Sequence, residues 1–158
     1  MTHHMLRGAM AGAAGTTALN TFTYLDMALR ARPASTTPET TVQRVEELTG
    51  ARLSRAGRDS EEEANRRSGI GPLLGIATGV AAGTLYGAAR SRWPRLPVPL
   101  LAVGAGVAAN VGSTAPMTAL GVTDPREWSA ASWISDLVPH LAFGLVTALA
   151  YELADDAS

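Results

Sequence analysis

Four polar residues, each inside a long apolar segment, are the best candidates for chemistry in this 158-residue chain. They are Asn20, Asn110, Asp136 and His140. Asp136 and His140 are four residues apart, a spacing that places both side chains on one face of a helix. A carboxylate beside an imidazole can fix the ring tautomer and help the ring to bind and release a proton near neutral pH. This spacing is typical of a proton- or ion-handling site, and also of a purely structural pair.

The two asparagines favour the structural alternative. Hydrogen bonds between helices in a membrane contribute about 0.6–2 kcal/mol each and select one packing arrangement. Pro139, between Asp136 and His140, has no N–H and leaves the Ser135 carbonyl without its helical partner. A freed carbonyl beside an ionisable pair often accompanies function in membranes, so the sequence leaves both alternatives open.

The elements that must position these residues are long and nearly free of charge. No charged residue occurs in 8–25, 68–89 or 96–123, and Asp136 is the one acidic residue in 129–151. About 20 apolar residues suffice to cross a bilayer core of about 30 Å. The sequence therefore predicts an all-α, four-transmembrane-helix bundle, a single integral membrane domain over 1–158, with helices near 7–29, 69–90, 97–121 and 130–153.

Two alternatives compete with this prediction. A soluble Ala-rich bundle should show a charged helix face, and 69–89 and 97–123 have none. A signal peptide would also show a basic residue before an apolar stretch, and cleavage within 1–35 would leave a secreted helical protein. Asn20 and Asp26 interrupt that stretch, which favours a membrane helix.

The polar loop 30–68 has a different composition, with eight arginines and seven acidic residues. Thr37-Pro38-Glu39 is a helix start signal and Gly50 a stop signal. Between them, Val42, Val45 and Leu48 recur at three-residue spacing, which predicts a short amphipathic helix lying on the bundle or on the membrane surface. Residues 54–67 contain few apolar side chains and are predicted to be a mobile linker.

The distribution of arginine indicates an orientation. The connections 30–68 and 122–129 contain nine arginines and the opposite side contains four, which favours termini outside and a cytoplasmic long loop. The compact, purely basic turn at 90–95 argues for the reverse.

A regular glycine spacing predicts how the helices pack. Five glycines recur every four residues along the second predicted span, and small residues at this spacing permit close helix crossings in lipid. The partner is a helix of the same chain or a second copy in a homo-oligomer. This glycine strip consists of Gly71, Gly75, Gly79, Gly83 and Gly87.

Other chemistry finds little support in the composition. The chain has no cysteine and a net charge of -1, so thiolate chemistry is excluded and nucleic acid is not expected as a partner. His3 and His4 lie at the terminus, away from His140, and no nucleophile motif occurs. We therefore expect no enzymatic activity, no metal and no cofactor. Residues at helix ends that are typical of interfacial anchors are Trp93, Trp128, Trp133 and Tyr151.

The order of residues between Ala119 and Gly144 resembles the C-terminal part of the YagU-like family of small bacterial inner-membrane proteins. In that family a Gly-Leu-Thr-x-Pro loop precedes a helix with Ser-Glu and then Gly-His-Leu; here Asp136 replaces the glutamate and Pro139 the glycine. The resemblance implies a multi-pass protein without an established molecular activity, with a link to acid tolerance in one branch. The matching residues are Gly121-Val122-Thr123, Pro125, Trp128, Ser135-Asp136, His140-Leu141 and Phe143.

Together these patterns predict a structural or accessory component of a bacterial cytoplasmic membrane, in contact with lipid and with itself or another membrane protein. The alternative function is a small proton- or ion-handling transporter or channel built around Asn20, Asn110, Asp136 and His140.

Overall fold

The structure, a computed structural model, describes residues 1–51 and 60–156, and within these ranges the chain is helical without a strand. The described elements are α1 (Thr2–Arg30), α2 (Thr37–Thr49), α3 (Ser60–Arg92), α4 (Val98–Ala119), a 3-10 turn (Pro125–Glu127) and α5 (Ala130–Asp156). The all-α prediction is therefore confirmed for the described part of the chain.

In the described ranges three helices, not four, are long and apolar enough to cross a membrane. They are the segments Glu61–Arg92, Val98–Ala119 and Ala130–Ala154. The predicted span 7–29 is wrong by this criterion, although α1 is 29 residues long. Its middle lacks charge but consists largely of glycine, alanine, threonine and Asn20, which are less apolar than the leucines and valines of the other helices.

The short helix α2 lies where the sequence predicts it, whereas α3 begins earlier than predicted. The helix predicted between Thr37 and Gly50 is confirmed as α2, which ends where Gly50 adopts a left-handed conformation with φ 69°. Of the three apolar residues predicted to share one face, Val42 is buried, whereas Val45 and Leu48 are exposed. The linker prediction for 54–67 is wrong from Ser60 onward, because α3 begins there; the remainder of that segment lies outside the described residues. Ion pairs of Arg66 with Glu62 and of Arg67 with Glu63 join successive turns, and three glutamates favour the helix start.

The long helices form an up-down-up-down bundle. α1 packs against α3 and α5, and α4 packs against α5 and α3. α1 runs antiparallel to both neighbours, since its start lies beside the end of α3 at Gly87 and beside the end of α5 at Tyr151. α2 folds back along the start of α3, where Pro38 contacts Gly71 and Glu46 binds Arg67.

Backbones of α1 and α3 touch where glycines face each other. A Cβ on Gly83 would collide with the backbone of Gly8 and Gly12, and a Cβ on Gly12 would lie 2.6 Å from the Gly79 carbonyl oxygen. Gly87 lies equally close to the His4 carbonyl. Three members of the glycine strip thus face α1, Gly71 faces α2, and Gly75 has open space around it.

The bundle keeps small residues inside and large apolar residues outside. Its core consists mainly of alanines, glycines and a few large side chains such as Phe143 and Tyr151. Exposed leucines, isoleucines and valines form stripes along α4 and α5 at intervals of three to four residues. In water such stripes would be unfavourable, whereas a lipid environment would accommodate them. The exposed stripes are Leu100, Val103, Val107 and Val111 on α4, and Ile134, Leu137, Leu141, Leu145, Leu149 and Leu153 on α5.

Replacement of Gly83 by alanine should lower the free energy of unfolding by about 1–3 kcal/mol, since the new methyl group meets rigid backbone. The matched control is Gly75→Ala on the same helix, where a new methyl group would meet no atom within 4 Å apart from the adjoining backbone of α3. That change should leave stability unchanged or raise it by up to about 1 kcal/mol, because alanine favours helix. Thermal unfolding of both variants in one detergent measures the difference. Equal stability of the two variants would contradict the described α1–α3 interface.

Candidate functional site

The candidate site lies between α4 and α5, whose backbones approach closely on the core side of the cluster. Gly144 lies against the Ala102 carbonyl, and a Cβ on Gly106 would lie 2.7 Å from the His140 carbonyl oxygen. This proximity brings short polar side chains from the two helices within reach of each other. Asn110 and Ser113 of α4 face Asp136 and His140 of α5, and these four residues are called the polar cluster below.

The polar cluster is joined by direct contacts. Asn110 donates a hydrogen bond from Nδ2 to the Asp136 carboxylate. His140 Nδ1 lies 2.7 Å from the Asp136 backbone oxygen and 3.7 Å from Asp136 Oδ1. On the other side of the ring, Nε2 lies 3.5 Å from Ser113 Oγ. The side chains of His140 and Asp136 are 13% and 22% exposed, so both are largely shielded.

The contacts assign a tautomer to His140. A carbonyl oxygen can only accept, so Nδ1, at 2.7 Å from one, carries the ring hydrogen. Ser113 directs its hydroxyl hydrogen to the backbone oxygens of Ala109 and Asn110, at 3.1 and 2.9 Å. Nε2 of the neutral ring therefore keeps its lone pair. The Asp136 carboxylate lies on the other side of the ring, 3.7 Å from Nδ1.

Three of the four residues predicted for the polar site come together, and Asn20 does not join them. Asn20 lies one turn beyond Thr16, which contacts Gly79, but its half-buried side chain makes no hydrogen bond to any described residue. Ser113 is a fourth member of the cluster that was not predicted from the sequence. Its position could have indicated it, because Ser113 follows Asn110 by three residues and therefore shares a helix face with it.

Ser135 links α5 to the end of α1. Its hydroxyl donates a hydrogen bond of 3.1 Å to Asp26, which also binds Arg30 and Arg32. The hydrogen bond from Arg32 holds the pKa of the Asp26 carboxyl below its ordinary value; desolvation opposes this shift, and Ser135 and Arg30 reinforce it. Asp26 therefore stays ionised at neutral pH and holds the start of α5 against α1.

A second cluster fastens the opposite end of the bundle. Tyr151 is fully buried, and its ring packs edge to face against Tyr86 with ring centroids 5.2 Å apart. The Arg7 guanidinium lies 4.0 Å from the centroid of the Tyr151 ring, and His4 Nδ1 lies 2.6 Å from the Tyr151 hydroxyl. The prediction that Tyr151 is an interfacial anchor is wrong, because its ring is buried in contact with α1 and α3.

At the same end of the bundle, two hydrogen bonds form an ion pair between α3 and α5. Arg90 of α3 donates hydrogen bonds of 2.8 and 3.0 Å to the Glu152 carboxylate of α5, and it also binds the Pro94 carbonyl. Sequence spacing alone could not indicate this pair, since its members are 62 residues apart.

These features define a multi-helix protein with three candidate membrane spans and a shielded polar cluster between two of them. Within residues 1–51 and 60–156, no group of three His, Asp or Glu side chains is placed to hold a metal ion. The chain matches no protein-family model, no curated protein and no solved structure. The resemblance to the YagU-like family therefore stays a prediction.

Replacement of Asn110 by alanine should destabilise the protein by about 1–2 kcal/mol, because Asp136 loses its hydrogen-bond donor in a shielded place. The matched control is Asn20→Ala, which removes the same amide from a site without a hydrogen-bond partner. That variant should unfold like the unmodified protein. Thermal unfolding in the same detergent compares them, and an effect of equal size at both positions would contradict the described cluster.

Proposed function

We propose that the protein is a multi-pass component of a bacterial cytoplasmic membrane with a structural or accessory role. The observation that carries this proposal is the distribution of side-chain size. Glycine and alanine fill the α1–α3 and α4–α5 interfaces, and the bulky apolar side chains point outward. This arrangement suits a protein whose exterior contacts lipid chains or another membrane helix.

Close packing also supports a structural role over a wide translocation path. Neither of these interfaces leaves room for an added methyl group at its central glycines. The exposed apolar residues of α4 and α5 offer a surface for interaction. An accessory protein of this kind would act by lateral contact within the bilayer, with the polar cluster fixing the packing of α4 on α5.

Membrane fractions of expressing cells test whether the chain is an integral membrane protein. The full chain should stay with the membrane after alkaline carbonate washing and should dissolve only in detergent. As a control, the same washing should release a peripheral protein expressed in the same cells. Recovery of the chain in the carbonate supernatant would contradict the proposal.

The polar cluster favours a second candidate function, the binding and release of a proton at His140. Both partners of the ring are in place: Asp136 on the Nδ1 side, and Ser113 beside the Nε2 that would receive the proton. Ionisable side chains at membrane depth are costly and are commonly functional. A transporter or channel would use this exchange as one step of proton movement.

Proton flux in liposomes separates the two candidates. If the cluster carries protons, His140→Ala should abolish flux driven by a pH gradient, while the matched control His3→Ala should retain it. Nitrogen NMR of labelled histidine should show the Nδ1–H tautomer of His140 at high pH and a doubly protonated ring at low pH. Flux equal in the unmodified protein and His140→Ala would exclude the proton role and leave the accessory role in place.

A further inference from the structure

Most arginines in the described part of the chain are neutralised by an acidic partner. Arg7 is buried above the Tyr151 ring, and Arg52, Arg55 and Arg58 lie outside the described residues. The arginines in ion pairs are Arg30, Arg32, Arg44, Arg66, Arg67, Arg90 and Arg126.

Arg92 and Arg95 are the exception. Both are exposed, and neither forms an ion pair with any residue that the structure describes. Arg92 is the last residue of α3 and Arg95 lies in the connection to α4; residues 92–97 are called the arginine turn below. Glu152, at the end of α5, accepts two hydrogen bonds of 2.8 and 3.0 Å from Arg90 and is therefore already paired.

The arginine turn also presents an aromatic side chain. Trp93 is 53% exposed, and the Arg92 guanidinium lies 5.9 Å from its ring centroid. The turn has a defined shape, since the Leu96 amide donates a 3.1 Å hydrogen bond to the Trp93 carbonyl and Arg90 holds the Pro94 carbonyl. Two cationic groups and a tryptophan are therefore displayed together on a fixed connection.

The turn joins two helices that are candidate membrane spans. If α3 and α4 cross a bilayer, residues 92–97 lie at the level of the lipid headgroups. Tryptophan is favoured at that level, and arginine forms forked hydrogen bonds with phosphate.

We propose that the arginine turn binds the phosphate of an anionic phospholipid through Arg92 and Arg95, with Trp93 inserted beside the headgroup. The proposal rests on the placement of α3 and α4 in a membrane. It assigns a lipid rather than a soluble anion because the exposed Trp93 and the neighbouring Leu100, 58% exposed, offer apolar surface to the rest of the same molecule.

Native mass spectrometry of the full chain in detergent, with equal amounts of phosphatidylglycerol and phosphatidylcholine added, tests the proposal. The unmodified protein should retain phosphatidylglycerol preferentially. R92Q/R95Q should lose this preference by about thirtyfold, since each arginine near an anionic lipid surface contributes about fivefold. The matched control R44Q/R126Q removes two exposed positive charges from the opposite end and should keep the preference.

A charge-retaining variant and a competition with a soluble anion complete the experiment. R92K/R95K retains the charges and should keep most of the preference, which guards against a folding defect in the glutamine variant. Equal binding of both lipids to the unmodified protein, retained preference in R92Q/R95Q, or an equal loss in R44Q/R126Q would overturn the proposal. Displacement of phosphatidylglycerol by excess glycerol phosphate would overturn it in favour of a soluble-anion site.

The membrane placement is checked separately. R92Q/R95Q should remain in the carbonate-washed membrane fraction like the unmodified protein. Loss of lipid preference with retained membrane association supports the lipid site, whereas release of both proteins by carbonate contradicts the underlying membrane placement.

Discussion

Close approach of helix backbones is the constraint on which the rest of this structure depends. Gly83 meets the backbone of α1, and Gly144 and Gly106 meet the backbone between α4 and α5, so no side chain separates these helices. Without bulky groups in the interfaces, the large apolar residues must point outward. An exterior of that kind is stable in lipid, where helix association depends on packing and hydrogen bonds rather than on burial from water.

The polar cluster follows from the same constraint. Asparagine, serine and aspartate have short side chains, and they can bridge α4 and α5 because Gly106 and Gly144 allow the two helices to touch on the core side of the cluster. Larger residues in the α4–α5 interface would move the two helices apart. Asn110 could then no longer reach Asp136 to form its hydrogen bond. The glycines therefore act on the candidate site indirectly, by setting the distance across which its hydrogen bonds form.

The residue types predicted the positions of the helices better than they predicted the contacts between them. Proline and glycine mark the ends of α2, which the sequence indicates correctly. The polar start of α3 was missed because ion pairs such as Glu62–Arg66 stabilise it without an apolar face. The sequence placed Asn20, Asn110 and His140 inside apolar segments, but it does not determine how each helix is rotated in the bundle, and Asn20 consequently lies apart from the other two. Long-range pairs such as Arg90–Glu152 depend on the packing itself.

α5 connects the two ends of the molecule through one slowly turning face. Residues at four-residue steps drift about 40° per step around a helix, so Asp136 and His140 face α4 whereas Glu152 faces Arg90 of α3. Tyr151 and Glu152 fix the far end of α5 against α1 and α3. Near its start, α5 is also held to α1 by the hydrogen bond from Ser135 to Asp26. His140 therefore lies between two anchored ends, one residue after Pro139, which leaves the Ser135 carbonyl without its usual helical partner.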